Sequence, residues 1–203
     1  MAHQFKYLIT GCGHSGTGCV SKALTSVGII CTHEGVRGGR FDQAHGTGGA
    51  SCADVIADSN HLAAHPGGLE FPFYEKSTII HLVRHPLLVI RSWRELSGIH
   101  CDLQTALDQS SKMWVLHNAY VETVKGSARP YHLYPIESGH ELLMKYVGKQ
   151  GVTPRFWDKN YNKHWRGKVN ISWKDFPDTE NVRQLRSMAT RYGYSLDNME
   201  WLG

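Results

Sequence analysis

The residues whose types and spacing carry the most chemistry lie near the N-terminus, in Gly11-Cys12-Gly13-His14-Ser15-Gly16-Thr17-Gly18, where four glycines fall within eight positions. Glycine at that density removes bulk where a backbone wraps closely around something, and it opens dihedrals closed to other residues. Backbone N–H groups then face inward. An apolar strand pattern runs into this stretch and a helical pattern leaves it from Ser15. The unpaired amides and positive dipole end of that helix therefore lie where the loop closes. Together they form an anion site suited to phosphate or sulfate, and the expected guest is a phosphorylated ligand.

Gly11 and Gly16 have the glycine spacing of the P-loop, G-x-x-x-x-G-K-[ST], but Thr17 stands where that motif places its lysine. An ordinary ATPase or GTPase reading fails there, at the position that reaches the β- and γ-phosphates. A glycine-rich turn without a ligand is the alternative for this stretch taken alone.

The elements that must position the loop follow from periodicity and turn signals. Residues 5–10 read as a buried strand, and 15–27 as a helix with Val20, Ala23, Leu24 and Val27 on one face, ended by Gly28. Residues 35–50 are glycine-rich with Arg37, Arg40 and Asp42 among them, and read as a surface loop able to fold over a ligand. A short strand is predicted over 52–57. The polar stretch from Asp58 to Pro66 follows it, at the strand end where open α/β sheets place ligands. Residues 78–83 give the clearest strand, with Pro86 at the first position of the next helix, which continues to Gly98. A long helix over 105–124, a strand over 131–136 closed by Glu137, and a helix over 141–147 come next. Residues 156–172 are aromatic, basic and irregular. A final amphipathic helix over 179–192, capped by Asp178 or Thr179, stops at Gly193. Strands separated by helices predict an α/β fold, with a parallel sheet of about four to five strands flanked by helices in one domain spanning 1–203.

Composition narrows the class. A chain of 203 residues, 41% hydrophobic, is long enough for a real core. Its net charge of +4, from 22 basic against 18 acidic residues, suits an anionic ligand, but the basic runs of a nucleic-acid binder are missing. Five cysteines in no C-x-x-C pair argue against a disulfide framework or zinc site, and fit a reducing cytoplasm. The longest apolar run is far below the roughly 18 residues of a membrane span, so a soluble protein is expected.

Two motifs in this order resemble those of sulfotransferases that use 3′-phosphoadenosine 5′-phosphosulfate (PAPS). Thr10 to Gly18 resembles their 5′-phosphosulfate loop, and Ile79 to Trp93, containing Arg84-His85-Pro86 and Ser92, resembles their 3′-phosphate motif. In that family a strand ends in Arg-x-Pro and a serine follows eight residues after the arginine. Arg84, Pro86 and Ser92 match both type and spacing. An arginine fork and a serine hydroxyl suit phosphate oxygens. Tyr131 to Glu137 and Met188 to Tyr194 are similar to further family elements. The resemblance implies a P-loop NTPase-like sulfotransferase fold, with Gly13, His14, Ser15, Gly16, Thr17, Gly18, Arg84 and Ser92 holding PAPS or its product adenosine 3′,5′-bisphosphate.

The chain departs from the family at His14, where members usually carry the Lys or Arg that stabilises the leaving oxygen. Histidine there can assist the leaving group as a cation or an N–H donor, or serve position alone. The resemblance favours Glu34 as the base that deprotonates the acceptor, with His61 next and Asp58 and His65 as further candidates. A solvated loop carboxylate and ordinary hydrogen-bonded histidines are the alternatives. The implied reaction is sulfuryl transfer to a hydroxyl or amine of a small metabolite or saccharide, without metal, nucleic acid or membrane. A P-loop kinase or phosphotransferase is a second reading, opposed by the missing lysine and the lack of an obvious Mg²⁺ carboxylate. A non-catalytic nucleotide-binding module is a third.

Overall fold

A computed structural model describes residues 3–37, 40–41, 54–97, 101–155, 157, 171–197 and 201–202. In chain order the elements are β1 (Tyr7–Thr10), α1 (Thr17–Ser26), β2 (Cys31–His33), β3 (Val36–Arg37), β4 (Arg40–Phe41) and β5 (Ala57–Ser59). They continue with β6 (Thr78–Val83), α2 (Pro86–Ser97), α3 (Leu103–Glu122), β7 (Tyr131–Pro135), α4 (His140–Tyr146) and α5 (Glu180–Arg191). Five strands form one all-parallel sheet in the order β2-β5-β1-β6-β7, and β3 and β4 make a separate antiparallel pair.

Parallel strands need crossovers, which cover both faces of the sheet, so their side chains are apolar on both sides. Tyr7, Ile9, Ile80 and Leu82 pack against Val20 and Leu24 of α1 and Leu143 and Met144 of α4. On the opposite face Leu8 and Ile79 meet Leu69, Tyr74 and Val121, while Val83 joins Leu87, Ile90, Trp114 and Leu185. Each fully buried aliphatic side chain of this kind contributes roughly 1.5–3 kcal/mol.

Polar residues are also buried in this core, His81 among them. His81 of β6 is fully buried, with Nδ1 2.6 Å from the Tyr131 hydroxyl and Nε2 2.9 Å from Asn118 Oδ1. The amide oxygen only accepts, so Nε2 carries the proton and Nδ1 accepts from Tyr131. Burial holds the imidazole neutral, with its pKa lowered to about 4.

The predicted α/β class and parallel sheet hold, while the structure shifts element boundaries and adds a strand. Of the strand expected over 52–57, residues 52–53 lie outside the described residues and the described part is strand only at Ala57, the start of Ala57–Ser59, because buried hydrogen bonds rather than apolar side chains carry Asp58 and Ser59 into the sheet. The edge strand β2, Cys-Thr-His, has no readable period and was not predicted. The first helix begins at Thr17, two residues later than expected, since Gly16 at φ 105° is left-handed. Within the expected 35–50 loop, the described part contains the short β3–β4 pair, and 42–50 lie outside the described residues. Most of the irregular stretch 156–172 also lies outside them. No helix among the described residues is long and apolar enough to cross a membrane.

The sheet order places the site. From β1 the chain leaves through α1 toward β2, whereas from the adjacent β6 it leaves through α2 and α3 toward β7 on the other side. Connections that part in opposite directions open a crevice at the carboxyl ends of β1 and β6, the usual ligand position in such sheets.

Candidate functional site

The glycine loop springs from the end of β1 against β6. A Cβ on Gly11 would stand 1.9 Å from the Leu82 carbonyl oxygen, so only glycine permits this approach. The loop then turns through His14, whose φ of 64° is left-handed, and Gly16 before α1 begins. That helix has no side-chain cap and no acidic residue in its first turn, which leaves its leading amides to an external acceptor. Ser15 is fully buried, and its Oγ has no hydrogen-bond partner among the described residues.

The turn after β6 meets this loop. Arg84 Nη1 donates to the His14 carbonyl oxygen at 3.1 Å, and His14 Nδ1 lies 3.1 Å from Ser92 Oγ on α2. Arg84, Ser92 and His14, eight residues and a whole crossover apart in sequence, thus converge at one loop mouth. The turn is pinned from behind. Glu137 Oε1 accepts from the His85 amide at 3.0 Å and its Oε2 from the Tyr194 hydroxyl at 2.8 Å. His85 Nδ1 accepts from the Leu87 amide while Nε2–H donates to the Ser195 carbonyl, which fixes a neutral tautomer. Burial raises the Glu137 pKa, partly offset by the bonds it accepts and by the Arg84 charge. His14 is held neutral at neutral pH: burial, then His61 and Arg84, lower its pKa to about 4 against a smaller raising effect of Glu34.

Beside the loop lies a second cluster. Glu34, just past β2, has φ 56° and places Oε1 2.7 Å from His61 Nδ1, in the short turn His61–Ala64 that follows β5. His33 Nε2 stands 3.2 Å from Thr17 Oγ1 and 3.6 Å from Glu34 Oε1. Burial lowers the His61 pKa, and the Glu34 carboxylate works against it. The two clusters adjoin: a Cβ on Gly13 would be 3.4 Å from His61 Cδ2 and 3.5 Å from Trp93 Nε1. Among the described residues His14 and Glu34 are the only non-glycine residues at positive φ, and both are in this site, where locally costly backbone tends to collect.

No family model, curated protein or solved structure matches this chain. The geometry therefore has to speak through its own chemistry. It offers backbone amides, a guanidinium and hydroxyls to an anion, and next to them a carboxylate–imidazole pair able to accept a proton.

Gly13, His14, Ser15, Gly16, Thr17, Gly18, Arg84, Ser92, Glu34 and His61 all lie at this carboxyl edge of the sheet. Asp58 does not face the loop. It is fully buried, and its carboxylate accepts hydrogen bonds from Thr32, Gly35, Val36, Asn60 and Tyr74. His65 packs against His117, ring centroids 4.3 Å apart, and is one ring removed from His61 at 6.3 Å. Sequence reasoning missed His33, Trp93 and Glu137 as site residues. Glu137 alone had a signal, a carboxylate directly after a strand at the ligand end of the sheet.

Proposed function

We propose that this protein is a PAPS-dependent sulfotransferase with a P-loop-like sulfotransferase fold, transferring a sulfuryl group to a hydroxyl or amine of a small metabolite or saccharide in the cytoplasm. The observation that carries this reading is the convergence of Arg84, Ser92 and the His14 loop, with the Glu34–His61 pair alongside. The α1 amides and Ser15 Oγ take the 5′-phosphosulfate end, and Arg84 and Ser92 take the 3′-phosphate. Glu34 keeps the proton of His61 on Nδ1, which leaves Nε2 as the base toward the acceptor. As the acceptor's proton passes to Nε2, its oxygen or nitrogen forms the new bond to sulfur. The bond from sulfur to the 5′-phosphate oxygen breaks, and the electron pair remains on that oxygen. The His14 N–H and the loop amides stabilise the departing charge.

Isothermal titration tests the donor assignment before any acceptor is known. Adenosine 3′,5′-bisphosphate should bind more tightly than the same nucleotide without its 3′-phosphate, and more tightly than ATP with Mg²⁺. Arg84→Ala should weaken the bisphosphate about 10- to 150-fold, from the roughly 1.5–3 kcal/mol of a charge-assisted hydrogen bond. It should leave the nucleotide without a 3′-phosphate nearly unaffected. Equal binding of both nucleotides by the wild-type protein would remove the sulfotransferase reading. A reaction with ³⁵S-labelled PAPS and panels of hydroxyl and amine acceptors then tests the transfer.

A further inference from the structure

Behind the Glu34–His61 pair lies a polar network that a fold alone does not require. Asp58, Asn60 and Tyr74 are at most 1% exposed, and a buried carboxylate is expensive unless fully hydrogen-bonded. The donors to Asp58 are specific in place. The amides of Gly35 and Val36, at 3.0 and 3.3 Å, directly follow Glu34, while the Glu34 amide donates to the Ser59 carbonyl at 3.0 Å. The left-handed Glu34 is thus gripped on both sides by consecutive residues of β5.

The same network reaches the other partner. Asn60 Nδ2 donates to Asp58 Oδ2 at 3.1 Å and to the Val36 carbonyl at 2.7 Å, and Asn60 Oδ1 accepts from the Leu62 amide at 2.9 Å. That last bond caps the turn that carries His61. Tyr74 closes the arrangement by donating to Asp58 Oδ2 at 2.6 Å, and its own oxygen lies 3.1 Å from Asn60 Nδ2. One carboxylate, one amide and one phenol therefore set the backbone of both residues of the pair, whose side chains come from segments 27 positions apart.

We propose that Asp58, Asn60 and Tyr74 are positioning residues that hold the Glu34 carboxylate on His61 Nδ1 and so fix which nitrogen of His61 is left to act as base. The use of that nitrogen rests on the reaction proposed above, whereas the positioning does not. His61 is the reporter, and the ionisable groups that face it are Glu34, His65, His33, His14 and His117.

The experiment is a ¹⁵N NMR titration of the His61 ring in the full-length protein. In the wild type the Nδ1–H tautomer should dominate. Asn60→Ala should erode that preference and lower the His61 pKa by about one unit, because an adjacent carboxylate raises a histidine and its loss leaves burial unopposed. Tyr74→Phe, which preserves the ring, should move both readouts the same way by a smaller amount. In chains already carrying Glu34→Gln, neither change should shift His61 further, since the network acts through Glu34. The inference is overturned if Tyr74→Phe titrates as the wild type, or if Asn60→Ala shifts His61 equally with and without Glu34→Gln. If Asn60→Ala does not fold, Tyr74→Phe decides alone. A protein that shows these shifts yet transfers no sulfuryl group would keep the network and lose the proposed reaction.

Discussion

Alanine at three glycines of the loop should give three different outcomes, because each glycine is glycine for a different reason. A methyl at Gly11 would meet the Leu82 carbonyl at 1.9 Å, a backbone atom that can move only if β1 and β6 separate. Overpacking of a core typically costs 1–3 kcal/mol, and this clash belongs at or above the top of that range. About 3 kcal/mol lowers Tm by roughly 6–12 °C for a chain of this size. Gly16 combines φ 105° with a Cβ position 2.4 Å from Ile136 Cδ1, the end of a movable side chain, so Gly16→Ala should lose about 1–3 kcal/mol, mostly from the backbone. Gly13 has neither problem. Its Cβ would rest in ordinary contact with His61 and Trp93 at 3.4 and 3.5 Å, and Gly13→Ala should leave Tm within a few degrees of wild type. Yet that methyl fills the gap between the loop and the base, where the transferring group would lie. The expected loss of PAPS affinity is about 5- to 150-fold, the equivalent of 1–3 kcal/mol of overpacking in the complex, while adenosine 3′,5′-bisphosphate, which lacks the sulfuryl group, should bind nearly as it does to the wild type. Differential scanning calorimetry and isothermal titration of the three variants provide the check. A stable Gly11→Ala protein would refute the close-approach argument, and a Gly13→Ala protein that binds PAPS normally would move the ligand elsewhere.

Other expectations follow from the same geometry. Glu34→Gln and His61→Gln should each lower turnover by roughly 10² to 10⁴ in the labelled-transfer assay, and the double variant should be no worse than the weaker single one, since the two act as a unit. Additive losses would mean that they act separately. Ser92→Ala should cost about 1 kcal/mol of bisphosphate binding by titration calorimetry, with no penalty for a nucleotide lacking the 3′-phosphate. Acid should destabilise the fold through His81. Its pKa of about 4 in the folded chain lies below the ordinary 6.5, so the stability it contributes is intact above pH 6.5 and drains away as pH falls toward 4. The full loss is about 3 kcal/mol. Urea denaturation between pH 7 and 4 should show this decline, and a His81→Gln protein should show less of it.

Much of the fold was legible because its signals were local. β6, α2 and α5 have strong periodicity, a proline at a helix start and a threonine cap, and their boundaries fall within about two residues of the prediction. β2 and β5 were illegible for the opposite reason. Cys-Thr-His and Ala-Asp-Ser contain little hydrophobic signal, and their place in the sheet depends on partners brought from elsewhere in the chain. The site divides the same way. Gly11 to Gly18 and Arg84 with Ser92 were visible as spacings. The pairing of Glu34 with His61 was not, because it depends on two left-handed or turning segments meeting across β2 and β5. For Asp58, a polar residue after a strand suggested chemistry, while the structure makes it the acceptor of five buried donors.

The strand order also dictates a timetable for synthesis. β1 and β2 are not neighbours, since β5 lies between them, so the described residues among the first 56 contain no two strands of the main sheet that pair with each other. Apolar Tyr7, Leu8 and Ile9 must wait on the ribosome for β5, and the loop mouth must wait longer for Arg84 behind β6. At about 5–20 residues per second, the interval from the end of β1 at residue 10 to the end of β5 at residue 59 is roughly 2–10 s. Through that window the nascent chain carries an unpaired, hydrophobic β1. The short polar strand β5 ends it by docking between β1 and β2, so substitutions that weaken β5 pairing should reduce the yield of folded protein more than they reduce the stability of molecules that have already folded.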